Sequence, residues 1–244
     1  MGTTRDGQVL VVTGTGTEIG KTVTTAAIAA VAVRAGRSVA VLKPAQTGVA
    51  PDEPGDVDEV VRLAGDAVTP LELGRFPEPL APGTAAARAG LAPVRPAQVA
   101  EAAEKLAASH DLVLVEGAGG LLVHLDAEGA TLADAARLLG APVLVVAQAG
   151  LGTLNSVQLT AEALRARGLG QAGVVIGSWP RQPGLAERCN VADLPVVAGA
   201  GLLGAIPAGA GELAVAGFRT SAGGWLGPEL GGVWDGAEFA RGVA

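Results

Sequence analysis

The stretch at residues 11–23, VVTGTGTEIGKTV, carries the residue types that a phosphate-binding loop requires. An apolar run ends in a glycine-rich turn, and the turn ends in Gly20, Lys21 and Thr22. Glycines let backbone N–H groups converge on a phosphate, a lysine supplies positive charge, and a hydroxyl can bind Mg²⁺. Five residues separate Gly14 from Gly20, one more than in the usual pattern. The stretch predicts a phosphate loop of unusual length, with a chance Gly-Lys-Thr turn as the alternative.

Three further charged residues stand where a phosphate site would need them. Glu116 directly follows the apolar run 112–115, Asp56 opens a helical segment, and Lys43 ends another apolar run. Mg²⁺ prefers oxygen ligands and keeps several waters, so one or two carboxylates beside a phosphate suffice. Asp56 could equally be a first-turn helix acid and Lys43 a surface lysine, whereas an acid that ends a buried strand needs a partner.

Apolar runs that alternate with helical segments predict the elements that position these residues. Short, β-branched runs typical of buried strands lie at 8–14, 38–44, 111–120, 142–150, 173–180 and 202–209. Helical segments lie at 21–35, 56–65, 95–109, 131–140 and 153–168. This alternation implies right-handed crossovers. The predicted fold is therefore a P-loop NTPase-like α/β three-layer sandwich, with a mostly parallel central sheet flanked by helices.

The carboxyl ends of parallel strands are where ligands bind. The segments that follow the predicted strands should therefore form one site, at 14–22, 43–48, 116–120, 148–155, 177–180 and 207–209. The Pro- and Ala-rich segment 76–96 is expected to be an irregular lid or substrate loop. Thr131, with Asp134, and Thr153 are expected to cap helices. The glycine-rich region from Gly217 onward stays unassigned.

Composition limits the classes of partner. The chain has 244 residues, a net charge of −7 and one cysteine, Cys189. Its Lys and Arg residues are scattered, which argues against nucleic acid or an anionic membrane as the main partner. A single cysteine permits no internal disulfide and suits a reducing compartment. The N-terminal stretch 1–8 lacks the apolar core of a signal peptide. We therefore expect a soluble, cytoplasmic protein that forms a single domain over residues 1–244.

Taken together, the motifs resemble the dethiobiotin synthetases of biotin biosynthesis. The resemblance rests on VVTGTGTEIGKTV, LKPAQTG, VEGAGGLLV, GLGTLN, GSWP and IPAG, at 11–23, 42–48, 115–123, 150–155, 177–180 and 206–209. The longer phosphate loop is normal for this family. The resemblance implies an ATP- and Mg²⁺-dependent cyclo-ligase that carboxylates 7,8-diaminopelargonic acid with CO₂. ATP would phosphorylate the carbamate to a carbamic–phosphoric mixed anhydride, and ring closure would yield dethiobiotin, ADP and phosphate.

The resemblance also implies a role for individual residues. Lys43 and Lys21 would be catalytic, with Lys43 holding the carbamate and the γ-phosphate and Lys21 neutralising the transferring phosphoryl group. Thr22, Asp56 and Glu116 would bind Mg²⁺. The implied nucleotide-binding residues are Glu18, Ile19, Gly20, Lys21, Thr22, Val23, Asp56, Glu116, Gly117, Ala118, Gly119, Gly177, Ser178, Pro207, Ala208 and Gly209. The implied substrate-binding residues are Thr17, Lys43, Thr47, Gly152, Thr153, Leu154 and Asn155.

Two further expectations follow from the resemblance. The family is a homodimer with the substrate site at the interface, so residues 152–155 would reach the partner's substrate through backbone N–H groups at a helix N-terminus. Many members carry an Asn-Asp pair that reads adenine where this chain has Gly177 and Ser178. Base recognition would then rest on backbone groups, and we expect looser selectivity, with CTP or GTP accepted beside ATP.

Other readings of the same motifs are less favoured. Partition and cell-division ATPases carry a lysine directly after the first glycine of the loop, where this chain has Thr15, and they act on DNA or membrane. Cobyrinate-type amidases add a glutaminase domain with a Cys–His pair, but His110 and His124 both precede Cys189 here. A non-catalytic binding module would not require the lysines and carboxylates.

Overall fold

The computed structural model describes residues 7–243. Residues 1–6, which form most of the stretch used to argue against a signal peptide, lie outside this range. The described part contains one sheet of seven strands: β1 (Gln8–Gly14), β2 (Val39–Thr47), β3 (Val68–Phe76), β4 (Leu112–Gly120), β5 (Val143–Ala147), β6 (Gln171–Trp179) and β7 (Leu202–Pro207). The strand order is β3-β2-β4-β1-β5-β6-β7, and every neighbouring pair is parallel.

Helices cover both faces of this sheet. Those of the described range are α1 (Lys21–Arg34), α2 (Asp56–Ala64), α3 (Pro82–Ala89), α4 (Pro96–Ala107), α5 (Leu132–Leu139), α6 (Thr153–Ala166), α7 (Leu185–Ala198), α8 (Val215–Ser221) and α9 (Gly236–Val243). Residues of α1, α2 and α8 pack in the core on one face, and the remaining helices contribute to the core on the other. The predicted three-layer α/β sandwich is confirmed. None of the described helices has the length and apolarity to cross a membrane.

The central strands are apolar on both sides because each side faces a layer of helices. In β4, Leu112 and Leu114 belong to the core beneath α1 and α2, whereas Val113 and Val115 belong to the opposite core. Successive strand residues point to opposite faces, and a parallel sheet covered on both faces requires apolar residues at every position. Burial on both sides explains why these strands were predicted as continuous apolar runs.

Strand β3 and helices α3 and α7 were not predicted. Strand β3 lies at the edge of the sheet, is mostly half exposed, and contains Pro70. A proline is tolerated on an edge strand because one side of that strand forms no ladder hydrogen bonds. The prediction that 76–96 is irregular throughout is wrong, since α3 starts at Pro82 and ends before the left-handed Gly90. Helix α7 carries an internal proline, Pro195.

The two helix caps have different outcomes. Thr131 caps α5 as predicted, because the side chain of Asp134 accepts hydrogen bonds from the Thr131 N–H at 2.9 Å and hydroxyl at 2.8 Å. The prediction that Thr153 caps α6 is wrong. Gly152 is the capping residue with φ of 89°, and Thr153 is the first helical residue, with a buried hydroxyl that has no hydrogen-bond partner in the described structure. Glycine adopts this left-handed backbone without steric cost.

The order of strands reverses at β1, which lies between β4 and β5. From β1 the chain builds β2 and β3 on one side, and after β4 it builds β5, β6 and β7 on the other. Ligands of parallel sheets bind at the carboxyl ends of strands beside such a switch. The loop between β1 and α1 lies at this point, which places the Gly-Lys-Thr motif where a ligand is expected.

Candidate active site

The loop from Thr15 to Gly20 joins the end of β1 to the start of α1. The N–H of Thr15 donates to the carbonyl of Val146 on β5 at 3.0 Å, which ties the loop to the neighbouring strand. Gly20 has φ of 90°, and a methyl group added there would lie 2.1 Å from the carbonyl oxygen of Gly177. Glycine is required at this position both for backbone conformation and for close approach. By contrast, a methyl group on Gly16 would meet nothing within 4 Å.

Glu18 is the one non-glycine residue of the described range with positive φ, at 54°. Its side chain and that of Thr17 are exposed at the loop tip. A non-glycine residue in this region costs free energy and persists where the surrounding structure imposes it. The loop therefore has a strained backbone just before the N-terminus of α1, and such strain is common at ligand-binding sites.

Lys21, the lysine of the motif, is turned back onto its own loop. Its Nζ donates to the carbonyl oxygen of Gly16 at 2.7 Å. Burial and the nearby ammonium of Lys43 lower the pKa of Lys21, against the opposing charges of Glu116 and Asp56. A carbonyl of the loop itself therefore holds this ammonium.

Lys43 is the centre of a buried cluster at the carboxyl ends of β2 and β4. Its Nζ contacts Oε1 of Glu116 at 3.0 Å, the carbonyl oxygen of Gly117 at 3.2 Å and a carboxylate oxygen of Asp56. Lys43 and Glu116 are 3% and 1% exposed. Burial alone would lower the pKa of Lys43, but the charges and hydrogen bonds of Glu116 and Asp56 outweigh it and raise that pKa. Lys43 is a buried cation, and the alternative of a surface lysine is wrong.

The hydroxyl of Thr22 donates to Oε1 of Glu116 at 2.8 Å, and the third implied metal ligand, Asp56, contacts the same Lys43 that binds Glu116. Both Thr22 and Lys43 bind this one oxygen, while the buried Oε2 of Glu116 has no hydrogen-bond partner in the described structure. A buried carboxylate oxygen needs a donor or a cation. Two carboxylates and a hydroxyl are the hard oxygen ligands that Mg²⁺ takes together with phosphate and water. The residues present therefore fit the implied metal.

The position of Asp56 depends on residues that were not predicted as part of the site. Asp56 is the first residue of α2, and its backbone N–H donates to Oε1 of the buried Gln46 at 2.8 Å. Arg75 on β3 donates to the backbone carbonyls of Ala50 and Glu53 in the segment before α2. Gln46, a buried polar residue near the end of strand β2, was the one sequence signal for this support.

A cleft of about 890 Å³ opens above this cluster. Its lining residues are Thr17, Glu18, Gly20, Lys21, Thr22, Val23, Lys43, Ala45, Gln46, Thr47, Val49, Asp56, Pro79, Leu80, Ala81, Pro82, Ala118, Gly119 and Val123. The cleft thus unites the predicted phosphate-loop, Lys43, Thr47, Asp56 and Ala118–Gly119 positions. Residues 79–82, inside the segment predicted to be a lid or substrate loop, form one of its walls. Glu116 and Gly117 lie beneath the cleft rather than in its lining.

The positions predicted to read the base lie beside the other edge of the loop. A side chain on Gly177 would meet the carbonyl oxygen of Ile19 at 2.0 Å, so β6 ends in direct contact with the loop. The N–H of Ala208 donates to the carbonyl of Trp179 at 2.7 Å, which joins the segment 207–209 to the end of β6. Ser178 and Pro207 are exposed. This part of the site presents backbone groups, the small side chain of Ser178 and the partly exposed ring of Trp179, which packs edge-on against Phe239.

Residues 152–155 do not line the cleft. They form the start of α6 beyond the end of β5, where Leu151 is 85% exposed. The arrangement within one chain therefore separates these four predicted substrate residues from the lysine–carboxylate cluster.

Several curated proteins similar to this chain carry the same name. The ATP-dependent dethiobiotin synthetase BioD of Streptomyces avermitilis is 75% identical over 232 residues, which are 95% of this chain and 97% of that protein. The proteins of the same name from Streptomyces coelicolor and Saccharopolyspora erythraea are 68% and 67% identical, and the matches cover 97% and 98% of their lengths and 95% and 93% of this chain. A family model described as an AAA domain matches residues 8–210.

Solved structures share the fold at low identity. A MinC:MinD cell division protein complex of Aquifex aeolicus has a TM-score of 0.54 at 15% identity, covering 88% of this chain and 86% of that chain. A ParA family ATPase from Chlorobium tepidum also has a TM-score of 0.54, at 11% identity, covering 83% and 84%. Similarity at these identities reflects a common P-loop architecture.

Proposed function

The chain belongs to the ATP-dependent dethiobiotin synthetases, ligases of biotin biosynthesis, and on that premise we propose a mechanism for its site. One observation carries the proposal: Lys21, Thr22, Lys43 and Asp56 line one cleft, and Glu116 beneath it accepts hydrogen bonds from Thr22 and Lys43. The substrate would be 7,8-diaminopelargonate, one amine of which takes up CO₂ as a carbamate. We further propose that residues 1–244 act as one cytoplasmic domain.

The first chemical step is transfer of the γ-phosphoryl group of ATP to the carbamate. A carbamate is an anion and a poor electrophile, so an oxygen must first become a leaving group. The protein mainly has to position anions and neutralise developing charge. Lys21, at the start of α1, would leave the Gly16 carbonyl to bind the phosphates, and Lys43 would hold the carbamate against the γ-phosphate. Mg²⁺, held by Thr22, Asp56 and Glu116, would supply additional positive charge at the phosphates when bound.

The second step closes the ring. The remaining amine attacks the carbonyl carbon of the mixed anhydride, the C–O bond to phosphate breaks, and the amine proton passes to solvent or to the departing phosphate. Thr17 and Thr47 line the cleft beside Lys43 and would orient the diamine. Their hydroxyls can donate to and accept from an amine or a carbamate. Orientation of both amines toward one carbon is the main contribution the protein can make here.

A second copy of the chain would complete the substrate site. Residues 152–155 lie outside the cleft of their own chain, at the N-terminus of α6. Free N–H groups at such a terminus suit the carboxylate of diaminopelargonate. We propose a homodimer in which these residues, with Gly152 at φ of 89°, bind the carboxylate of the substrate held by the partner.

Nucleotide selectivity is proposed to be loose. The base would lie against the segments 177–180 and 207–209, where this chain offers backbone groups and small or apolar side chains. Backbone groups can bind the polar edge of more than one base. ATP would therefore be one of several accepted triphosphates, with CTP and GTP among them.

Direct assay tests the main proposal. The protein is incubated with diaminopelargonate, bicarbonate, Mg²⁺ and ATP, and the products are analysed by mass spectrometry. We expect dethiobiotin, ADP and phosphate in equal amounts. ATP hydrolysis without dethiobiotin under these conditions would contradict the proposed reaction.

A further inference from the structure

Lys43 is held by the same two carboxylates that the proposed function assigns to the metal. We propose that the Lys43 ammonium takes the place of a divalent cation between Asp56 and Glu116, so that the chain takes up the metal only together with a nucleotide. The inference rests on the proposed function for the identity of the metal ligands. It adds a rule for when that site accepts a cation.

The contacts of Lys43 support this role. Its Nζ bonds to Oε1 of Glu116 at 3.0 Å and contacts a carboxylate oxygen of Asp56. Within residues 7–243, neither Asp56 nor Glu116 forms an ion pair with any residue other than Lys43. Lys43 is 3% exposed, so water does not screen its charge. A divalent cation between the same carboxylates would have to displace this ammonium or bind within a few ångströms of it.

The charge balance of the cluster opposes a metal ion on its own. Two carboxylates, Asp56 and Glu116, contact the ammonium of Lys43, and the ammonium of Lys21 lies close enough for all three charges to act on it. The two negative and two positive charges cancel, so the cluster has no net negative charge to offset the loss of a divalent cation's water shell. A nucleotide triphosphate brings the negative charge that is missing. Metal and nucleotide should therefore enter together.

The same exchange would release Lys43 for the reaction. Once the carboxylates bind the metal, their hold on the ammonium weakens, and Lys43 can turn toward the carbamate and the γ-phosphate. The lysine would become available only after the phosphates and their metal are in place. Lys21 differs, because its ammonium bonds to the carbonyl oxygen of Gly16 rather than to a carboxylate.

Manganese binding in the absence of nucleotide tests the proposal. Free Mn²⁺ is measured by electron paramagnetic resonance as it is titrated into wild-type protein, Lys43→Met, Lys21→Met and the surface control Lys105→Met. We expect Lys43→Met to bind Mn²⁺ roughly ten- to a hundredfold more tightly than wild type, because an opposing charge in contact is removed. Lys21→Met should shift the affinity less, and Lys105→Met not at all.

Two outcomes would overturn the proposal: nucleotide-free wild type that binds Mn²⁺ as tightly as Lys43→Met, or wild type whose affinity is unchanged by a non-hydrolysable ATP analogue. Circular dichroism checks folding, since Lys43→Met leaves Glu116 buried without its cation. Lys43→Gln, whose amide can still donate to Glu116, should bind Mn²⁺ more tightly as well, and Lys43→Arg should not. The titrations contain no diaminopelargonate. They therefore test the role of Lys43 in metal binding even if the proposed ligase reaction is wrong.

Discussion

The two sides of the proposed nucleotide site differ: one consists of buried charged side chains and the other mainly of exposed backbone. On the phosphate side, Lys43 and Glu116 are almost fully buried and bonded to each other, to Thr22 and to Asp56. On the base side, the segments 177–180 and 207–209 meet through a backbone hydrogen bond and leave Ser178 and Pro207 exposed.

This difference predicts that the protein is selective for the phosphates and less selective for the base. Charged groups in a buried cluster interact strongly because water does not screen them. An exposed backbone edge offers hydrogen bonds that water can replace at little cost. We therefore expect substitutions on the phosphate side to change the rate severely, whereas changes of the base should be tolerated.

Removal of the buried cation should have the largest effect. Lys43→Ala is expected to lower kcat by about 10²–10³-fold, because a positioned charge partner of the transferring group is lost. Thermal unfolding of the same variant should show reduced stability, since Glu116 loses its counter-ion. The control is Lys105→Ala, whose ammonium pairs with Glu101 on the surface. Wild-type kcat in Lys43→Ala would place the chemistry elsewhere.

Shortening the phosphate loop should separate the two substrates. Deletion of Gly16 removes the carbonyl that holds Lys21 at 2.7 Å and restores the usual loop length. We expect ATP still to bind, while carbamate-dependent turnover falls by roughly 10²-fold because the lysine is misplaced. Calorimetric ATP binding and dethiobiotin formation measure the two effects separately. If turnover survives at full rate, the Gly16 carbonyl is not needed to position Lys21.

The loop touches β6 at Gly20 and Gly177, so alanine substitutions at Gly20 and at nearby Gly16 should affect stability differently. Gly20→Ala forces a left-handed backbone and a 2.1 Å contact with Gly177. It is expected to destabilise the protein by about 2 kcal/mol or more. Gly16→Ala, which meets open space, is the matched control. Thermal denaturation of both variants decides, and equal melting temperatures would mean that the contact with β6 is dispensable.

Exchange of the base should have the smallest effect. With ATP, CTP and GTP at equal concentration, we expect kcat/KM values within about tenfold of one another, because a backbone edge loses only modest hydrogen-bond energy when the base changes. Initial rates of dethiobiotin formation measure this. Any difference between the three nucleotides should appear in KM, while kcat stays nearly constant. A strict requirement for ATP would show that the base side is as selective as the phosphate side.

Local patterns carried much of the fold. The apolar runs of β1, β4 and β5, the glycine stops and the Thr131 cap could each be predicted because their signals lie within a few residues of one another. Elements with weaker local signals escaped prediction. Strand β3 is half exposed at the sheet edge, and α3 and α7 contain or adjoin prolines.

The sequence by itself determined which groups the site contains: a longer phosphate loop, two lysines, two carboxylates and a hydroxyl. It also determined which predicted strand or helix each group follows or begins. Only the tertiary structure decided their pairing. Lys43 and Glu116 are 73 residues apart in the chain and meet because β2 and β4 are neighbours in the sheet. The contact of Gly20 with Gly177 and the support of Asp56 by Gln46 arise in the same way. Residue type and spacing specify what a side chain can bond to, but strand order and burial decide which partner lies within reach.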